Sequence, residues 1–209
     1  RRELIALADL AIQNDLIVVS DEIYDLLTYD APHTPLPSLP GMKNRTVYLN
    51  GFSKGYAMTG FRLGYACGPA DIIGAMNKIH QYTMLCAPIV SQMASIEALR
   101  NGANVAAEMT DEYNRRRRFL VTHLTACGLT CHMPEGAFYA FPRITASGMD
   151  AETFALTLLE EESVAVVPGT AFGAGGEEFV RMAYAASFED IKEALTRISR
   201  FMDRHGRAG

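Results

Sequence analysis

Apolar residues at positions 4, 5, 7, 8, 11 and 12 recur at helical spacing, so residues 1–14 are expected to form a helix with an inward face. The pattern then changes. Leu16-Ile17-Val18-Val19 is a short unbroken apolar run, which predicts a strand over 16–20 with both faces buried, as in a parallel sheet. Pro32, Pro35, Pro37 and Pro40 mark a long loop. The β-branched and aromatic run at 46–50 predicts a second strand, and 62–67 a third that stops at Gly68-Pro69. Helices are expected from an Asp71 cap to about His80, from about Pro88 to Leu99, and over 104–126. Beyond that, strands are expected over 129–133, 137–142, 164–167 and 179–184, with helices over 151–162 and 188–204. The switch from buried parallel-type strands to alternating strands and surface helices places a domain boundary near residue 100.

Three places interrupt this pattern with isolated reactive groups. In the stretch Asn50-Gly-Phe-Ser-Lys54-Gly-Tyr-Ala-Met-Thr-Gly-Phe-Arg62, one lysine follows the second strand and one arginine follows it eight residues later. A lysine amine forms an imine with an aldehyde, and an arginine holds a phosphate; pyridoxal phosphate carries both groups on one ring. Asp21 and Tyr24 stand just past the first strand, where open α/β sheets bind ligands beyond the strand ends. Such a carboxylate keeps a ring nitrogen charged, so that the ring absorbs the electrons of a substrate carbanion. Arg181 is the one charged residue in Phe179-Val-Arg-Met-Ala-Tyr184, and its guanidinium fork suits a carboxylate in bidentate fashion.

These segments, with Pro134-Glu-Gly136-Ala-Phe138-Tyr139 and Val166-Val-Pro168-Gly169, closely resemble the class I/II aminotransferases of fold type I, aspartate and aromatic aminotransferases of bacteria among them. The resemblance covers nearly the whole chain, in the family's order, and corresponds to roughly the second half of the family's polypeptide. It implies an α/β fold: the C-terminal part of a large, mostly parallel cofactor-binding domain over 1–100, then a smaller α+β domain over 101–209. It implies pyridoxal 5'-phosphate as cofactor and Lys54 as the catalytic residue holding it in a Schiff base. Asp21 is then expected at the ring nitrogen, Tyr24 at the ring's phenolic oxygen, Arg62 at the phosphate and Arg181 at the substrate α-carboxylate. The expected reaction moves an amino group from an amino acid to a 2-oxo acid. A homodimer is implied, with residues 80–88 near its interface. The chain opens on Arg1-Arg2-Glu3 inside a helical pattern, and on its own it is expected to be inactive and prone to self-association. One departure is Gly51, where many relatives place a phosphate-binding serine; Ser53 stands beside the lysine instead.

Composition narrows the alternatives. With 49% hydrophobic and 21% charged residues, a packed core is expected. A net charge of −5 speaks against a nucleic-acid surface, and no apolar run reaches membrane-spanning length. Cys67, Cys86, Cys127 and Cys131 form no CxxC pair, and reduced thiols in the cytoplasm are expected. Other enzymes of the same fold, such as C–S or β-lyases, would keep the same residues. Gly51-Phe-Ser53-Lys-Gly55 matches a serine-hydrolase elbow, but that reading leaves Asp21 and Arg62 unexplained. A cofactor-binding regulator domain would need a DNA-binding segment, which these residues lack. Arg115-Arg-Arg-Arg118 is expected to be a solvated face, with Asp111–Arg115 and Glu112–Arg116 pairs. The glycine-rich 169–176 segment leads into a strand rather than a helix, so a loop bordering the substrate is expected, not a nucleotide site.

Overall fold

A computed structural model describes residues 1–206. The chain forms two compact units that meet in sequence between Thr110 and Asp111.

In the first unit, α1 (Arg2–Gln13) lays Ala8 and Ala11 against Leu36, Leu39 and Met42 of the proline-rich loop. The two small alanines let the loop come close, and burying each large apolar side chain contributes roughly 1.5–3 kcal/mol. Strand β1 (Val18–Asp21) runs parallel to β2 (Thr46–Gly51), with Val18 opposite Thr46 and Asp21 opposite Leu49. Strand β3 (Gly64–Cys67) pairs antiparallel with β2, Gly51 facing Gly64. The apolar run at 16–19 behaves differently from its expectation. The strand starts at Val18, and Leu16, Ile17 and Val19 are 47%, 56% and 64% exposed. One face of β1 is therefore uncovered by the described residues.

Helices α2 (Ala70–Thr83), α3 (Ile89–Asn101) and α4 (Ala103–Ala126) follow. Pro69, not Asp71, occupies the cap of α2; Asp71 sits in the first turn, where its charge complements the helix dipole. Helix α4 continues through the point where the units divide, so no break in periodicity marks that point.

The second unit is built around a small antiparallel sheet. Strand β4 (Tyr139–Ala140) and β5 (Val167–Pro168) flank β6 (Val180–Ala183). No strand forms over 129–133: a single backbone bond, Arg143 N–H to Thr130 O at 2.7 Å, ties that stretch to its neighbour. Helix α5 (Ala151–Glu162) starts at Asp150, whose carboxylate accepts from Thr153 N–H at 2.8 Å. Helix α6 (Phe188–His205) starts at Ser187, whose hydroxyl oxygen accepts from Asp190 N–H at 3.0 Å. Ile191, Leu195, Ile198 and Phe201 form the buried stripe of α6, and Phe201 meets Phe154 of α5 edge-on at 5.3 Å.

Charge finishes this helix pair. The buried Glu162 accepts from Arg204 at 2.6 Å and from Arg200, and these bonds hold its carboxyl down at about 2. The arginine run on α4 is only partly the solvated face its pattern suggests. Arg115 and Arg116 pair with Glu112 at 2.7 and 2.8 Å, and Arg115 does not take Asp111 as its partner. Arg117 is 1% exposed and donates to the Pro134 carbonyl.

Candidate active site

The parallel pairing of β1 and β2 brings two loops side by side. Glu22 N–H donates to Leu49 O at 2.8 Å, which extends the ladder one residue past β1. Asp21 is exposed at that strand end, and its Oδ1 accepts from Ile23 N–H at 3.2 Å. The turn that follows places Tyr24 half-buried. From the neighbouring strand end, the half-buried Lys54 brings its amine to 5.9 Å from the centre of the Tyr24 ring. Arg62 is exposed in the left-handed conformation, φ 53°, ending the short 3₁₀ turn Thr59–Phe61 and donating to Thr59 O at 2.8 Å. Ser91 of α3 fastens this loop, its hydroxyl donating to Phe61 O at 2.6 Å. The first unit thus gathers Asp21, Tyr24, Lys54 and Arg62 around the ends of β1 and β2.

Packing explains the glycine at position 51. A Cβ there would lie 2.9 Å from Leu63 O and 3.0 Å from the Gly64 Cα, so a serine would push β3 away. Residues 53–56 form a turn, and only the three-residue 3₁₀ turn Thr59–Phe61 follows it rather than an α-helix, so the strand–turn–helix geometry of a nucleophile elbow at Ser53 is absent.

A polar network missing from the sequence reading steadies the base of the lysine loop. Asn50 is buried; its amide donates to Asp25 Oδ2 at 2.7 Å and also meets the Tyr48 hydroxyl. Its Oδ1 accepts from Gly51 N–H at 2.6 Å. Tyr48 lies beside Tyr65 of β3, ring centres 6.3 Å apart. Loss of hydration, with Tyr48 next to it and the Asp25 charge nearby, pushes the Tyr65 phenol up to about 12. Burial likewise raises Tyr48, against the opposing hydrogen bond from Asn50. Both phenols stay protonated at neutral pH and serve as hydrogen-bonding groups. Glu22, also buried, accepts from Ser20 at 2.9 Å and Leu36 N–H at 3.0 Å and pairs with His33, which ties the proline-rich loop to the turn carrying Asp21 and Tyr24.

In the second unit, Arg181 stands on β6 opposite Val167, half-buried. Its guanidinium carbon lies 4.4 Å from the Tyr139 ring centre and 4.3 Å from that of Phe172. The acidic neighbour Glu178 pairs with Arg143 at 2.8 Å and is not taken up by Arg181.

The sequence profile of the aminotransferase class I and II family matches residues 1–198. The chain belongs to this family. It is 50% identical over 204 residues to a protein of Bacillus subtilis named putative aminotransferase YugH, covering 98% of this chain and 53% of that one. It is 43% identical over 205 residues to an aspartate aminotransferase of Pyrococcus abyssi, covering 97% and 53%. The crystal structure of an aromatic aminotransferase from Pyrococcus horikoshii superposes with a TM-score of 0.95 at 42% identity, covering 98% of this chain and 56% of that one. The chain therefore spans about half the length of the relatives it matches. The fold is that of the pyridoxal-phosphate aminotransferases of fold type I.

Enzymes of this family depend on pyridoxal phosphate, and the residues at the strand ends suit it chemically. Among them are an amine of the kind that meets an aldehyde, a carboxylate that could face a protonated ring nitrogen, a phenol that could reach a ring oxygen and a guanidinium that could hold a phosphate. All four are at least partly accessible, and the Lys54 amine lies 5.9 Å from the centre of the Tyr24 ring.

Proposed function

We propose that this chain forms part of a pyridoxal-phosphate-dependent aminotransferase that moves an amino group from an amino acid to a 2-oxo acid. The supporting observation is the side-by-side ending of β1 and β2, with the Lys54 amine 5.9 Å from the Tyr24 ring and Asp21 at the adjoining strand end. When bound, the cofactor supplies an aldehyde for the lysine and a ring that withdraws electrons from the substrate Cα. Lys54 is the attachment amine, and the same Nζ removes and returns the Cα proton. Asp21 holds the proton on the ring nitrogen, and Tyr24 donates to the ring oxygen. Arg62 anchors the phosphate. Arg181 binds the substrate α-carboxylate through the edge of its guanidinium.

The proposed assembly is a homodimer. Tyr82, Met84, Leu85, Ile89 and Val90 are between 68% and 88% exposed, a run of apolar side chains suited to burial against another subunit. The cytoplasm is the proposed location, in keeping with four free cysteines; among the described residues no helix is long and apolar enough to cross a membrane. Residues 1–100 are proposed to belong to the large cofactor-binding domain and 101–209 to the small one.

Borohydride reduction of the cofactor-loaded protein, followed by peptide mapping, tests the central assignment. The pyridoxyl mass is expected on the peptide containing Lys54; a label on Lys43 or Lys78 would refute it. Turnover that needs a second 2-oxo acid is expected, whereas release of pyruvate and ammonia without one would identify a lyase.

A further inference from the structure

The glycine-rich segment over 169–176 carries a large aromatic ring that packing alone does not explain. Phe172 is 49% exposed. It is nevertheless held firmly. Gly169 N–H donates to Phe179 O at 2.8 Å, and Thr170 Oγ1 donates to Glu152 Oε1 at 2.6 Å. A Cβ on Gly169 would lie 2.2 Å from Gly176 O, so the two ends of the segment touch backbone to backbone. Phe141 meets the Phe172 ring edge-on at 5.9 Å. This fixed ring is the one that lies 4.3 Å from the Arg181 guanidinium, with Tyr139 at 4.4 Å.

We propose that Phe172 and Tyr139 are positioning residues that clamp the Arg181 guanidinium between their rings and present its edge to the carboxylate of a 2-amino or 2-oxo acid. The proposal rests on the reading of Arg181 as the carboxylate site. A guanidinium has donors only in its plane, and its faces stack on aromatic rings. In this clamp the two rings cover the faces and lower the rotamer freedom of a long side chain, so that the in-plane fork is left for a coplanar, bidentate carboxylate. An ammonium in the same place has no plane to clamp.

The test uses the intact protein loaded with pyridoxal phosphate and the variants Phe172→Leu, Phe172→Tyr, Tyr139→Leu, Arg181→Leu and Arg181→Lys. Losing one ring is expected to raise KM for both the amino acid and 2-oxoglutarate about three- to tenfold, with kcat and cofactor affinity little changed. Phe172→Tyr restores the parent KM, and Arg181→Lys behaves like Arg181→Leu. A KM increase in Arg181→Leu without one in either ring variant would overturn the clamp and leave the role of Arg181 standing. An unchanged KM in Arg181→Leu would overturn the carboxylate reading itself. Side-chain NMR of the unmodified protein decides the matter even where a variant fails to fold. The Arg181 δ-methylene protons are expected upfield from ring currents, with the Nε–H shifting on addition of 2-oxoglutarate, and ordinary random-coil positions for those protons would overturn the clamp.

Discussion

The Asn50→Asp variant probes the network beneath the lysine loop with one atom. The new side chain has nearly the same shape and keeps the acceptor for Gly51 N–H, but it replaces the amide donor by a carboxylate oxygen 2.7 Å from Asp25 Oδ2. Two full charges at that separation repel by about 6 kcal/mol at an effective dielectric constant near 20. Retaining a proton avoids the repulsion, and holding it at pH 7 against an ordinary carboxyl near 3.9 costs about 4 kcal/mol. The smaller figure sets the limit, and solvent reaching the half-buried Asp25 trims the penalty to about 2–4 kcal/mol. The introduced carboxyl titrates higher in the folded than in the unfolded protein. Its penalty is therefore absent below the unfolded value and grows as pH rises toward the folded one. The contact with Tyr48 survives, because its hydroxyl can turn to donate to the new carboxylate. Urea denaturation of parent and variant at pH 4 and pH 7.5 measures the penalty. The stability gap is expected to widen by about 2–3 kcal/mol between these values. An equal gap at both pH values would refute the hydrogen bond from Asn50 to Asp25.

Two further outcomes follow from the other charged groups. Arg62→Leu is expected to weaken cofactor binding first, about tenfold or more, whereas Arg181→Leu raises KM for amino and oxo acids at nearly constant cofactor affinity; spectroscopic cofactor titration and steady-state kinetics would expose a reversal of the two roles. Glu162, held down at about 2 by Arg200 and Arg204, lends stability that is complete above its unfolded value of about 4.5 and is lost as pH falls toward 2. Thermal melts over that range should show a shallower acid dependence in Glu162→Gln than in the parent.

Features that depend on near neighbours in sequence were legible from the residue order. The caps at Asp150 and Ser187 coincide with the expected starts of helices at 151 and 188, because a cap is a local hydrogen bond. The expected strand over 129–133 failed because apolar residues permit a strand without supplying a partner, and there the ladder offers one bond. The run Arg115–Arg118 hid the burial of Arg117, whose acceptor on Pro134 lies in another segment. The same distinction runs through the site. Lys54 and Arg62 stood out as single charged groups in a largely apolar, glycine-rich stretch, and Asp21 by its place just past an apolar run. The Asp25–Asn50–Tyr48 network and the rings around Arg181 did not, since each joins residues far apart along the chain.

The contact between Gly169 and Gly176 has a bearing on how this protein drifts over evolutionary time. Each position presses on the other's backbone, with no flexible side chain between them to yield. A lineage cannot replace one and repair the damage at the other, because any side chain at either end enlarges the same gap. In a saturation library both sites should tolerate almost nothing, and no second-site suppressor should arise at the opposite end. Between them Gly173 and Gly175, at φ 123° and 90°, resist side chains as well, so sequence change inside the segment is confined to the few positions that separate its glycines.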